Sequence, residues 1–209
     1  MKTQVITVPD VLTSIECETI CNYCSHKCQP SKVGSTGHIS ESKPGSTNSE
    51  IRHSMNSFIT HNDTKLSNIM RKVADCLVQV SAHAFDFPIN YIEPIQYSEY
   101  TEGMYYNEHC DCGESIEYDR DISASVFLSP RENYEGGNLS FPSKEGNTLE
   151  VNEKQGSMSI FPSMMIHKVN KVKSGKRSSL VLWSRRPAYN PQSVSLQNLK
   201  TDQYYGVVS

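Results

Sequence analysis

From Tyr91 onward the chain breaks into short strand-like runs, each closed by a turn signal: Gly103, Cys112-Gly113, Ser129-Pro130, Gly136-Gly137, Gly146-Asn147 and Gly175. Brief runs separated by Gly and Pro predict many short strands, and so a sandwich or a barrel. Upstream the period changes. Leu66, Ile69, Met70, Val73, Leu77 and Val80 fall on one stripe of a 3.6-residue wheel, which predicts a helix over residues 63–83 with its apolar side laid on a sheet. Residues 11–28 read as a second helix with Asp10 as N-cap, and residues 51–60 as a strand. The expected fold class is α+β, mainly β, with N-terminal helices packed on one sheet. Residues 29–50, rich in Gly, Ser and Pro, are expected to be either a disordered linker or a loop that orders over substrate as a lid, with the lid the favoured of the two.

The 209 residues are most simply one domain: a helical and lid part over 1–90, a β core over 91–186 and a tail over 187–209. No stretch is apolar enough to span a membrane and the first ten residues lack the apolar core of a signal peptide, so a cytoplasmic location and no membrane partner are expected. Seven cysteines, an odd number crowded at a few positions, imply reduced thiols. A net charge of −3 gives no reason to expect a nucleic-acid partner. Residues 93–121 carry nine acidic side chains and residues 154–186 eight basic and no acidic ones. The two stretches either neutralise each other or form an electrostatic surface, and acidic charge near His109 favours a basic peptide substrate.

Within the β region, residues 97–111 alternate like a strand and end in His109-Cys110-Asp111. Residues two apart on a strand share a face, so the His109 imidazole and the Asp111 carboxylate can meet at one point. His167 follows Asp111 by 56 residues. Two imidazoles and one carboxylate are the facial triad that holds non-haem Fe(II) with positions left open. The other histidines, His26, His38, His53, His61 and His83, are read as core or surface residues.

The order of motifs is more specific than the triad alone. Tyr97, Tyr100, Gly103, Tyr106, His109 and Asp111 are followed by Arg120 and a strand, Tyr134-Glu-Gly136-Gly137, Phe161-Pro-Ser, His167-x-Val169, Gly175-x-Arg177 and a strand ending in Trp183. This series resembles the prolyl 4-hydroxylase-type Fe(II)/2-oxoglutarate dioxygenases, in particular their compact microbial and phage branch, over roughly residues 91–186. The resemblance implies a double-stranded β-helix, or jelly roll, and a reaction that turns 2-oxoglutarate and O2 into succinate and CO2 while hydroxylating a substrate C–H bond, with ascorbate as an accessory reductant. His109, Asp111 and His167 would be the catalytic metal ligands. Arg177 would grip the distal carboxylate of 2-oxoglutarate, because a guanidinium can bind a carboxylate bidentately. Tyr100 or Tyr97 would donate a hydroxyl to the co-substrate. Relatives often carry a Tyr where this chain has Phe127, so Ser179 is expected to supply a replacement hydroxyl. The substrate would be a peptide, a protein or a small molecule, peptidyl proline first among them, and the oligomeric state is left open.

Two other readings compete. Cys17, Cys21 and Cys24 resemble the iron–sulfur motif of radical S-adenosylmethionine enzymes, and Cys21, Cys24, His26 and Cys28 could form part of a zinc site. The helical spacing of these cysteines favours instead a buried helix face. A jelly roll that binds without turnover is the remaining alternative.

Overall fold

The computed structural model describes residues 4–31, 50–60, 62–112, 120–142, 146–151 and 153–185. Most of the expected lid, the tail over 187–209, His38 and His61 lie outside the described residues. In chain order the elements are β1 (Ile6–Val8), α1 (Ser14–Cys24), β2 (Gln29–Pro30), β3 (Arg52–His53), β4 (Met55–Ile59), α2 (Ser67–Ala84), β5 (Ile95–Thr101), β6 (Tyr105–His109), β7 (Arg120–Phe127), β8 (Tyr134–Gly136), β9 (Leu139–Pro142), β10 (Thr148–Glu150), β11 (Met158–Pro162), β12 (His167–Val169) and β13 (Val172–Arg185). The fold is mainly β, a double-stranded β-helix. A major sheet runs β1-β11-β7-β13-β5-β4-β2, with β8 added to β13, and a minor sheet runs β10-β9-β12-β6-β3.

Alternation along the major-sheet strands separates two faces. Leu180 and Leu182 on β13, Ala124 and Val126 on β7, and Met158 and Ile160 on β11 share the outer face through the sheet register. They form one core cluster with Cys17, Ile20 and Cys24 of α1 and with Met70, Val73, Ala74 and Leu77 of α2. The α2 stripe expected from the sequence is thus the layer that covers the sheet. Its α-helix begins at Ser67, after a 3-10 turn over Thr64–Leu66.

The start of α1 differs from the sequence expectation. Thr13, not Asp10, is the N-cap: its hydroxyl accepts from the Glu16 N–H at 3.2 Å while the Glu16 carboxylate accepts from the Thr13 N–H at 2.7 Å. Asp10 sits before the helix with φ of 53°, in the turn that leads to it. The helix ends at Cys24, and a 3-10 turn carries the chain on to Lys27.

Gly175 interrupts the start of β13 with φ of 75°, and a Cβ there would collide with the Asn133 carbonyl oxygen. Glycine therefore lets β13 pair with β8 through Val172–Gly175 and then continue between β5 and β7. The charged stretches do lie side by side: Lys176 on β13 pairs with Glu99 on β5, and Lys168 on β12 pairs with Glu108 on β6, each at 3.0 Å. That acidic charge is neutralised within the chain. Among the described residues no helix is long and apolar enough to cross a membrane.

Candidate metal centre

β6 and β12 are neighbours in the minor sheet, and their register places His109 directly opposite His167. Asp111 follows β6, tethered by its N–H to the Ser163 carbonyl at 2.9 Å. One ligand atom from each of the three residues lies within 4.8 Å of the other two. The Nε2 atoms of His109 and His167 stand 3.7 and 3.5 Å from the Asp111 carboxylate oxygens.

The neighbours of these side chains set their proton states. His109 Nδ1 lies 2.7 Å from the Asn107 carbonyl and His167 Nδ1 lies 2.9 Å from the Met165 carbonyl. A carbonyl can only accept, so Nδ1 carries the proton and Nε2 presents its lone pair to the centre. Burial holds His109 well below the usual imidazole range, and the adjacent His167 adds to this. Burial alone would raise the Asp111 carboxyl, but His167, His109, Arg120 and the Ser123 hydroxyl together bring it to about 2. Ser123 donates to Asp111 Oδ2 at 2.7 Å and lies 2.8 Å from the Ser163 hydroxyl, which holds the carboxylate in orientation. Two imidazoles whose Nδ1 atoms are tied to carbonyls and whose Nε2 atoms face an ionised carboxylate form a donor set that fits Fe(II).

A β-bulge in β6 lies next to this centre. The register shifts between the His109–His167 and Tyr106–Val169 pairs, so Tyr106 turns onto the same face as His109. The two rings stack with centroids 3.5 Å apart and planes 16° from parallel. Tyr106 is therefore a packing partner of the centre. Phe161 meets the His167 ring edge-on, with centroids 4.8 Å apart.

Arg177 lies on the inner face of β13, opposite Tyr100 of β5, and is 2 % exposed. Its Nη1 donates to the Ser179 hydroxyl at 3.1 Å and its Nη2 to Glu153 at 3.2 Å, while Nε is buried without a hydrogen-bond partner. Glu153 is itself buried and held in place: it accepts from the Tyr134 hydroxyl and from the Leu139 N–H, each at 2.7 Å. Burial alone would lower the Arg177 pKa, but Glu153, with Tyr134 and Tyr100, more than offsets it, so the guanidinium stays charged. A buried, charged, rigid guanidinium with an unspent donor fits the carboxylate of a co-substrate.

Of the residues expected around the co-substrate, the structure brings Arg177, Ser179 and Tyr100 onto the inner face and leaves Tyr97 out. Tyr97 lies on the outer face, where its hydroxyl donates to Glu99 at 2.6 Å and lies 3.3 Å from the Ser178 hydroxyl. Tyr97 and Tyr100 are three residues apart, and a regular strand sends such a pair to opposite faces. Burial, with the neighbouring Cys21 and Glu99, raises the Tyr97 phenol well above its usual range. The cysteine readings are corrected in the same way. Cys17 and Cys24 point into the apolar core, packed among the side chains of the two helices and the major sheet, and burial pushes both thiols up to about 12. Among the described residues only His109, Asp111 and His167 group as metal ligands. Glu153, the partner that holds Arg177, was missed by sequence reasoning because it has no local motif.

The profile described as "2OG-Fe(II) oxygenase superfamily" matches residues 95–185. A PKHD-type hydroxylase of Parvibaculum lavamentivorans is 41% identical over 98 residues, which cover 47% of this chain and 44% of that protein. The chain thus matches a little under half the length of this relative. The crystal structure of a Pseudomonas putida prolyl-4-hydroxylase superposes with a TM-score of 0.70 at 17% identity, covering 90% of this chain and 95% of that one. A prolyl hydroxylase of Trichoplax adhaerens, in complex with a peptide fragment of the hypoxia inducible factor oxygen degradation domain, superposes with a TM-score of 0.67 at 15% identity, covering 88% and 84%.

Proposed function

We propose that this chain, whose residues 95–185 belong to the 2OG-Fe(II) oxygenase superfamily, is an Fe(II)- and 2-oxoglutarate-dependent hydroxylase of prolyl 4-hydroxylase type. The observation that carries the reading is the convergence of His109, Asp111 and His167, with both imidazoles locked in the tautomer a metal requires. His109, Asp111 and His167 would hold Fe(II), and Arg177 with Ser179 would hold the distal carboxylate of 2-oxoglutarate. With O2 as the oxidant, bound Fe(II) and 2-oxoglutarate would supply the chemistry that converts a substrate C–H to C–OH, one oxygen atom going to the product and the other to succinate as CO2 is released.

The chain's own residues bind, orient and shield. Ser123 keeps the Asp111 carboxylate turned toward the two imidazoles, and the Asn107 and Met165 carbonyls keep the imidazole protons away from the metal position. Phe127, Phe141 and Phe161 form an apolar cluster beside His167, which excludes water from that side. Glu153 holds the Arg177 guanidinium in place before co-substrate arrives. Peptidyl proline is the substrate we place first, because the Pseudomonas and Trichoplax neighbours are prolyl hydroxylases by name.

An anaerobic visible spectrum tests this. A charge-transfer band that needs both Fe(II) and 2-oxoglutarate, and that disappears in His167→Ala, is the expected result. Absence of the band in the unaltered protein would overturn the reading.

A further inference from the structure

Four arginines pack against aromatic rings: half-buried Arg131 lies over Tyr134 and donates to the Tyr134 carbonyl and to Asn138, and the other three differ in what neutralises them. The Arg177 guanidinium carbon lies 5.6 Å from the centre of the Phe127 ring and pairs with Glu153. Arg120 lies over Trp183 at 3.8 Å and pairs with both oxygens of Glu93, at 2.8 and 2.7 Å. Arg52 lies over Tyr106 at 4.6 Å and pairs with no carboxylate among the described residues. Its hydrogen bond is from Nε to the Ser54 hydroxyl at 3.0 Å, and the residue is 8 % exposed.

The position of Arg52 gives this charge a use. β3 is the edge strand of the minor sheet, and its register sets Arg52 opposite Tyr106, so the two side chains share a face. Tyr106 stacks on His109. The order Arg52, Tyr106, His109 therefore places a cation one aromatic ring away from the metal centre. Most of the Arg52 side chain is buried, but its terminal nitrogens are not among the buried unpartnered atoms and so face solvent, where the Tyr106 ring face compensates the charge only in part. Glu108 of the neighbouring strand β6 is engaged by Lys168, and Glu99 of β5, in the other sheet, by Lys176. Ser54 in turn donates to Asn56 Oδ1 at 3.3 Å, which steadies the Nε contact, and among the described residues the two terminal guanidinium nitrogens make no hydrogen bond.

We propose that Arg52 is the anchor for a carboxylate of the molecule that is hydroxylated, so that the substrate class is acids: a chain-terminal α-carboxylate, or an acidic side chain next to the reacting carbon. This rests on the hydroxylase reading above and narrows it, against the basic peptide that the acidic composition near His109 suggests. Arg177 and Arg52 then divide the two acids between them, co-substrate on the major sheet and substrate on the edge of the minor one.

Small probes separate the possibilities. N-acetylglycine represents a chain-terminal carboxylate and N-acetylaspartate N-methylamide a side-chain carboxylate, with N-acetylglycinamide and N-acetylasparagine N-methylamide as their uncharged counterparts. Each is titrated calorimetrically into the full chain, with and without Fe(II) and 2-oxoglutarate, for the unaltered protein, Arg52→Met, Arg52→Lys and Arg177→Met. The expected result is that at least one carboxylate probe binds more tightly than its amide, that Arg52→Met weakens it about 10- to 100-fold, and that Arg177→Met leaves it bound. The probe that binds identifies the source of the carboxylate. Arg52→Lys, which keeps the charge, is expected to recover part of the loss and guards against a folding defect. Equal affinity for acid and amide, or binding that survives Arg52→Met and fails in Arg177→Met, would overturn the proposal. Probe binding through Arg52 in a protein that forms no Fe(II)/2-oxoglutarate band would retain this site and reject the hydroxylase reading instead.

Discussion

The two faces of the major sheet are made from the same strands and do opposite work. The outer face presents Leu180, Leu182, Val126, Ile160 and Met158 to the helices, every one of them at 0 % exposure. The inner face presents Ser98, Ser123, Ser125, Ser159 and Ser179, together with Arg177, and these are buried almost as completely. Burial of large apolar side chains stabilises a fold at roughly 25 cal/mol per Å², whereas a buried serine must find a hydrogen bond merely to break even. Stability is therefore concentrated on the outer face. The inner face is free to carry small side chains, which would leave room for the proposed ligands, and the Arg177 charge that would bind one of them.

The largest expected effect lies on the functional side. Asp111→Ala removes the only carboxylate of the triad and is expected to reduce succinate formation to background and to abolish the Fe(II)/2-oxoglutarate band, with the thermal transition retained. An unfolded variant would show instead that the inner face also holds the sheet together. Turnover equal to that of the unaltered protein would remove Asp111 from the metal centre.

Much of this division was legible in the sequence, because alternation is a local property. The i, i+2 spacing of His109 and Asp111, the 3.6-residue stripe of α2 and the turn glycines all depend on near neighbours in the chain. The same rule, applied to Tyr97 and Tyr100, would have separated them onto opposite faces. Tyr106 was less accessible, since only the bulge in β6 turns it onto the face of His109. Glu153 and Arg52 were not accessible at all: Glu153 meets Arg177 across 24 residues of sequence, and Arg52 meets Tyr106 through an edge-strand register that no local pattern records. The N-cap was lost to a simpler cause. Asp10 and Thr13 are both good caps, and the capping-box partner Glu16 distinguishes them only when Thr13 is tried.

Glu153→Gln sharpens the contrast by making the inner face costly. Without its carboxylate, Arg177 becomes a buried cation with no ion-pair partner, and loss of one member of a buried pair destabilises by about 3–5 kcal/mol. Chemical denaturation reads this directly. If Arg177 also receives the co-substrate, 2-oxoglutarate should raise the melting temperature of Glu153→Gln more than that of the unaltered protein, because it replaces the missing charge. An equal rise in both would separate Glu153 from the co-substrate pocket. On the outer face, Leu180→Ala is expected to cost about 2–5 kcal/mol through lost burial and the cavity left beneath the helices. Turnover per folded molecule should not change, and a large fall in turnover at low temperature would show that the two faces are coupled.

The smallest effect is expected where the inner face is neither charged nor hydrogen-bonded to the centre. Ser125 lies between Val181 and Ser159 in the register, two residues along β7 from Ser123, the residue that orients Asp111. Ser125→Ala removes one hydroxyl and adds no bulk, so its effect on stability should stay within about 0.5 kcal/mol. Ser125→Leu is the informative companion. It places outer-face chemistry on the inner face, where the added volume can only enter space the ligands need or push the sheets apart. A Ser125→Leu protein that folds with normal stability and turns over normally would mean that the inner face has spare room. Loss of 2-oxoglutarate consumption with little loss of stability would mean that small side chains are kept there to leave a cavity, and would tie the serine-rich face to the chemistry it borders.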